Sequence, residues 1–256
     1  MINSQKIIIK LGSSLLTNKR GGVNKAVLKN VVKDIIWLLD AKKEVIVVSS
    51  GAISLGKGKL NLKHDLTLNE SQAVAARGQI ELMTAWKNEF KKYKKQVAQV
   101  LLSPSDIKNK KSSNHAIATL ENILGFNCVP IINENDTTST DEIKFGDNDI
   151  LAAQIATLIK ADHLILLSNV DGLYKEPPKT NKNDDLIKEV KSITNKIRDM
   201  AGVASKLGKG GMISKIKAAE ICMKSKCSVI ITSGLKENPI MSLGNKKTKS
   251  TKFIAK

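Results

Sequence analysis

Apolar residues fall along this chain in two alternating forms, short unbroken runs and helical stripes. Ile7-Ile8-Ile9-Lys10-Leu11 is a run rich in β-branched residues that stops at Gly12-Ser13-Ser14. Such a run, bounded by turn residues, predicts a strand buried on both faces with Lys10 at its carboxyl end. The period then changes: Val27, Leu28, Val31, Val32, Ile35, Ile36, Leu38 and Leu39 follow helical spacing, and Asn24 stands where an N-cap is needed. Glu44-Val45-Ile46-Val47-Val48 predicts a second buried strand, which runs into Ser49-Ser50-Gly51-Ala52-Ile53.

The alternation continues. A long helix is predicted over 69–93, with Ala73, Val74, Ala76, Ile80, Leu82, Met83 and Trp86 as its buried share. A strand over 96–102 closes on Ser103-Pro104-Ser105-Asp106, and a helix over 114–124 leads through Gly125 to a strand over 128–132. Helices over 150–160, 193–200 and 212–224 and strands over 163–167 and 228–232 complete the pattern, followed by a short edge element and a basic tail. Strand-helix alternation without a repeat or a linker predicts one α/β domain over 1–256, its parallel strands presenting their carboxyl ends along one edge.

Composition narrows the function classes. With 41% hydrophobic and 26% charged residues the chain is expected to be globular, and its apolar runs are too short to span a bilayer. The first strand begins within a few residues of the N-terminus and no cleavable apolar leader precedes it, so a cytoplasmic location without membrane attachment is expected. Cys128, Cys222 and Cys227 form no C-x-x-C pair, which disfavours a zinc site or disulfide framework; no protein-bound metal is expected. A net charge of +18 attracts polyanions. Nearly all of it is lysine, however, and aromatics are only 3%, so there is neither a bidentate nor a stacking surface for nucleic acid.

Two polar clusters exceed what local structure needs. Asn133-Glu134-Asn135-Asp136 follows one predicted strand, and Gly146-Asp147-Asn148-Asp149 opens a predicted helix where one capping residue would suffice. Gly208, Gly210 and Gly211 precede another helix start, where backbone amides favour an anion, and Lys215 lies one turn in. The spacing is not that of a Walker A loop. Two lysines from opposite ends of the chain, with a carboxylate able to hold them, suit phosphoryl transfer, which needs positioning and cationic stabilisation.

In their order and spacing, Ile9-Lys10-Leu11-Gly12-Ser13-Ser14, Ser49-Ser50-Gly51-Ala52-Ile53, Asn133 to Asp136, Gly146 to Asp149 and Gly208 to Lys215 resemble the amino acid kinase family. Within it they are most similar to the bacterial branch acting on glutamate. The resemblance covers about Lys6 to Gly234. It implies a three-layer α/β/α sandwich around a mainly parallel central sheet, with the amino-acid substrate on the side of residues 1–160 and the nucleotide on the side of about 161–235. It implies an ATP- and Mg²⁺-dependent kinase that phosphorylates the side-chain carboxylate of L-glutamate at the head of proline biosynthesis. Lys10, Lys215 and Asp149 would be catalytic. Ser50, Gly51, Asn133, Asp136, Asp147 and Asn148 would hold glutamate. Lys10, Gly12, Ser168, Asn169, Lys209, Gly210, Gly211, Met212, Ile213, Ser214 and Lys215 would line the nucleotide site.

The resemblance further implies proline as a feedback inhibitor acting through the loop from Asp106 to Asn114, glutamate-5-semialdehyde dehydrogenase as a partner, and a homo-oligomer. Some positions depart from the family pattern. Asn169 replaces a usual aspartate, Lys209 a usual threonine, and Ser250-Thr251-Lys252-Phe253 a usual Gly-Thr-x-Phe; a C-terminal PUA-type domain common in relatives does not follow. The other readings are a kinase-like sensor or nucleic-acid-binding protein without turnover, and a relative acting on acetylglutamate or a nucleoside monophosphate.

Overall fold

The first predicted strand forms as Lys6–Leu11 (β1), followed by a single turn Ser13–Leu16 (α1), the helix Lys25–Asp40 (α2) and the strand Glu44–Ser49 (β2). These come from a computed structural model that describes residues 4–18, 20–138, 148–176, 185–204, 211–244 and 248–255. Asn24 caps α2 as expected, its side chain accepting from the Val27 N–H. Then come α3 (Ala52–Lys59), α4 (Leu68–Lys91), β3 (Gln96–Leu102), α5 (Pro104–Lys108), α6 (Lys110–Gly125), β4 (Cys128–Glu134), α7 (Asn148–Leu158) and β5 (His163–Ser168). The remainder is β6 (Glu189–Val190), α8 (Asn195–Ala204), α9 (Gly211–Lys224), β7 (Ser228–Ser233), α10 (Met241–Gly244) and β8 (Ser250–Phe253).

The strands form one sheet in the order β3-β4-β2-β1-β5-β7-β8-β6. Every pairing is parallel except β7 with β8. Strand residues alternate between faces. Ile8, Ile46, Val48, Leu164 and Leu166 pack towards α7 and α9, whereas Ile7, Ile9, Val45, Val47 and Ile165 pack towards α2 and α4. The result is the expected three-layer α/β/α sandwich. β1 lies between β2 and β5, where the chain turns from building one half of the sheet to building the other. Open α/β sheets bind ligands outside the carboxyl ends of strands at such a switch point.

Three local expectations change. Ala73, Ala76 and Ile80 are exposed, Ile80 at 62%, and the buried line of α4 is Val74, Gly78, Leu82, Trp86 and Phe90 with Ala75 and Glu89. This line is spaced by four residues because α4 packs on α3 through a glycine; Ala76, Ile80 and Met83 instead line a surface cleft. The stretch 106–114 is a corner between two capped helices, α5 under a Ser103–Asp106 capping box and α6 under Asn109, rather than a loop. The expected edge element beyond β7 contains β8, which lies one strand in from the sheet edge, with Thr251 and Phe253 fully buried.

One buried carboxylate ties the segment after β7 to the opposite end of the chain. Asp34 in α2 is completely buried, and its Oδ2 accepts from the N–H groups of Ile240 (2.6 Å) and Met241 (3.3 Å). Burial pushes its carboxyl up to about 6, against the pull of those two N–H groups and of Lys33. The folded value is thus above the ordinary 3.8, so the native state holds a proton that the unfolded chain releases. This stabilisation is fully present below the unfolded value and is lost as pH rises through the folded one. Asp34→Asn is expected to flatten the dependence of unfolding free energy on pH between 4 and 6, by at most about 1 kcal/mol per pH unit. Denaturant titrations across that range check it; parallel slopes in parent and variant would remove Asp34 as the cause.

Candidate active site

Lys10 shares the parity of Ile8, so its side chain leaves β1 on the face covered by α7 and α9. It is buried, not a solvated strand-end lysine. Its Nζ lies 2.5 Å from Oδ1 of Asp149, in the first turn of α7, while Lys215 Nζ from α9 reaches Asp149 Oδ2 at 2.9 Å. Ser214 Oγ is 3.1 Å from the same Oδ2. Asp149 is completely buried, which alone would raise its pKa; the two ammoniums outweigh that and hold it below the usual carboxylate range. Two cations against one anion leave a positive excess at the carboxyl end of β1, which attracts a polyanion.

The turns around this cluster leave room for one. Gly12 caps α1, and a Cβ placed on it would meet only Lys10 Nζ, at 3.8 Å, and Ser14 Oγ, at 4.0 Å. Its φ of −75° is open to any residue, so a small residue here keeps the approach to Lys10 clear rather than permitting the turn. Gly51 differs: at φ 114° it adopts a conformation that favours glycine, and it caps α3 directly after the buried Ser50.

On the other side, β4 runs two residues further than expected, carrying Asn133 and Glu134 inside the sheet because pairing with β3 continues through Leu101 and Leu102. Asn148 Nδ2 donates to the Ser49 carbonyl (3.1 Å) and to Asn133 Oδ1 (2.7 Å), and Asn133 Nδ2 donates to Gln79 Oε1 (2.8 Å). Asp136 is half-buried; burial, with the nearby Glu134 carboxylate, pushes it up to about 7. A cleft of about 310 Å³ opens here, lined by Gln79 and Met83 of α4 and by Glu134 and Asp136. A paired carboxylate site of this kind can take a cation that relieves the repulsion.

The structure thus brings Lys10, Asp149 and Lys215 into contact and joins Asn133 to Asn148 beside Ser50 and Gly51. Ser168 ends β5, and Asn169 Oδ1 accepts from Ser14 Oγ at 3.4 Å, a long contact across the mouth of the site. Gly211, Met212, Ile213 and Ser214 form the first turn of α9 with Lys215 following. Asp147, Lys209 and Gly210 lie outside the described residues. Gln79 carries no signal of its own in the sequence, and Trp86 is expected only as a buried helix residue, as it is found. Trp86 Nε1 donates to Ser49 Oγ at 3.0 Å, steadying the end of β2. Both sit within a long helical pattern that gave no sign of which face meets the site.

A lysine–aspartate–lysine cluster thus stands at the switch point of this sandwich, and the chain belongs to the amino acid kinase family, whose profile matches residues 5–233. It is similar to glutamate 5-kinase of Pelagibacter ubique, at 45% identity over 99% of this chain and 69% of that protein. It is also similar to glutamate 5-kinase of Clostridium acetobutylicum, at 44% identity over 99% of this chain and 96% of that one. Among solved structures, UMP kinase from Ureaplasma parvum superposes with a TM-score of 0.68 at 19% identity, covering 98% of this chain and 99% of its own; this likeness shows the shared fold.

Proposed function

We propose that this protein transfers the γ-phosphoryl group of ATP to the side-chain carboxylate of L-glutamate, forming glutamyl 5-phosphate. The observation that carries the reading is the buried contact of Lys10 and Lys215 with Asp149 at the carboxyl end of β1. The 45% identity with a glutamate 5-kinase over nearly the whole chain supports the choice of acceptor.

In this reading Lys10 and Lys215 stabilise the charge that builds on the equatorial oxygens of the moving phosphoryl group, and Asp149 keeps both ammoniums aimed there before substrate arrives. Gly12, Ser168, Asn169 and the stretch Lys209 to Lys215 line the nucleotide. Ser50, Gly51, Asn133 and Asn148 hold glutamate, with Asp136 and Asp147 facing its ammonium. The acceptor is already an ionised carboxylate at neutral pH, so no general base is required. That suits a site in which His163, buried in β5 and lowered to about 4 by burial first and nearby positive charge second, takes no part.

Magnesium bound to the triphosphate would neutralise phosphate charge. Among the described residues no group of three or more His, Cys, Asp or Glu side chains forms a cage for it, and both oxygens of Asp149 already meet lysines. The described side chains therefore fit a metal carried on the nucleotide better than a resident one. The acyl phosphate is labile, and a dehydrogenase that reduces it would be the natural consumer.

Incubation with ATP, Mg²⁺, glutamate and hydroxylamine is expected to yield glutamyl hydroxamate. Consumption of acetylglutamate or a nucleoside monophosphate instead would reassign the acceptor, and ATP-independent retention on DNA without turnover would favour a binding protein. The KM for glutamate is expected to rise as pH falls below about 7, approaching tenfold per pH unit, because Asp136 must be ionised to hold an ammonium. Asp136→Asn should raise the KM at pH 8 and abolish that dependence. A KM that is flat from pH 8 to 6 in the parent would remove Asp136 from ammonium recognition.

A further inference from the structure

Three side-chain amides form a relay whose sense is set by one backbone carbonyl. The Ser49 oxygen can only accept, so the Asn148 atom 3.1 Å from it must be Nδ2. The same Nδ2 lies 2.7 Å from Asn133, which must therefore present Oδ1 to it. Asn133 consequently turns Nδ2 towards Gln79, at 2.8 Å, and the Gln79 atom receiving it is Oε1. Amide orientations are ordinarily ambiguous, but here each follows from the last. Gln79 Nε2 ends the relay as a donor, shielded from water and without a hydrogen-bond partner among the described residues.

A shielded donor with nothing to donate to is unfavourable and becomes favourable when an acceptor arrives. Gln79 lines the cleft that also contains Glu134 and Asp136, whose carboxylates suit a cation. The cleft therefore offers an anion donor and a cation acceptor side by side, the pattern needed for the head of a zwitterionic amino acid. The other end of the relay, Asn148 against Ser49, adjoins Asp149 and the two lysines. One end thus adjoins the lysine–aspartate cluster and the other reaches the cleft.

We infer that Gln79 determines acceptor specificity, its Nε2–H donating to the α-carboxylate of the bound amino acid while its Oε1 holds Asn133 in register. This rests on glutamate being the acceptor, as proposed above. The interaction is charge-assisted, and its loss corresponds to roughly 10- to 100-fold in affinity.

Steady-state kinetics on the full chain test it, comparing L-glutamate with its α-amide, isoglutamine. That analogue keeps the ammonium and side-chain carboxylate and lacks the α-carboxylate. Gln79→Glu keeps an oxygen for Asn133 and removes the donor; Gln79→Met removes both without adding charge. In the parent, isoglutamine is expected to show a KM at least about 10-fold above that of glutamate. Both variants are expected to raise the glutamate KM about 10- to 100-fold, to leave the ATP KM within about 2-fold, and to bring the two acceptors within about 3-fold of each other. Retention of the parental preference for glutamate in Gln79→Met, or parallel rises in KM for both acceptors, would reduce Gln79 to a support for Asn133 and overturn the inference. A parent that phosphorylates isoglutamine as readily as glutamate overturns it too. A parent inactive on glutamate fails at the level of the proposed reaction, and is thereby told apart from a failure confined to Gln79.

Discussion

Asp149→Asn is expected to lower the rate of hydroxamate formation by about 10²- to 10³-fold, the loss typical of removing one preorganised electrostatic element. The side chain is completely buried and each of its oxygens meets a lysine, Lys10 at 2.5 Å and Lys215 at 2.9 Å. An asparagine keeps the size and the helix-start preference but leaves two ammoniums facing each other without a counter-ion. Breaking a buried ion pair in this way destabilises by about 3–5 kcal/mol, so a lower thermal midpoint should accompany the lost activity. ATP binding, followed by equilibrium titration, separates the two effects. If the folded variant still turns over at more than about a tenth of the parental rate, the lysines do not need Asp149 to be aimed, and the organising role assigned to it fails. The pH dependence has the opposite sign to that of Asp34. The folded pKa of Asp149 is depressed, so its stabilisation is present above the unfolded value and is lost only as pH falls through a folded value below the usual carboxylate range.

Gly78→Ala carries the largest expected effect away from the lysines. A Cβ on Gly78 would overlap the carbonyl oxygen of Ala52 and approach the Gly56 nitrogen to 2.5 Å, and one on Gly56 would overlap the Val74 carbonyl. Backbone, not a flexible side chain, stands in the way, so α3 and α4 must separate. Overpacking of this kind typically destabilises by about 1–3 kcal/mol. Because Ala52 opens α3 directly after Gly51 and Ser50, the displacement also moves the turn proposed to hold glutamate, and the glutamate KM should rise more than the ATP KM. Gly125→Ala is the control. It ends α6 with nothing within 4 Å of a new Cβ, so it should be neutral or slightly stabilising. Similar melting behaviour in the two variants would mean that the interhelical contact adapts without strain.

Much of the architecture was legible because the physics behind it is local. β1, β2, β4, β5 and β7 are runs of residues rich in Val, Ile and Leu, and such runs can only be buried strands when both faces of a parallel sheet are covered. Asn24 named its own helix start through a side-chain hydrogen bond to a residue three positions on. On α4 the expectation holds for Val74, Leu82 and Trp86 and fails for Ala73, Ala76 and Ile80, because helical spacing reports which residues share a face and not which face is covered. Ala76 and Ile80 share a side with Gln79 along a cleft, while glycine at 78 marks the true contact. β8 was obscured because it is short and gains its place by antiparallel pairing with β7, a long-range choice that four residues cannot announce.

By itself the sequence determined the alternation of elements, the turn residues at the carboxyl ends of the strands and the presence of two lysines and a carboxylate suited to phosphate. Strand parity alone then obliges Lys10 to emerge on the same face as Ile8. Only the tertiary structure decided that this face is the one roofed by α7 and α9, so that Lys10 and Lys215 meet on one buried carboxylate. It also decided that a buried carbonyl at Ser49 orders three amides as far as Gln79. The reason is the same in both cases: charge and hydrogen-bond direction in a dry interior depend on which groups touch, and touching is set by how the layers stack.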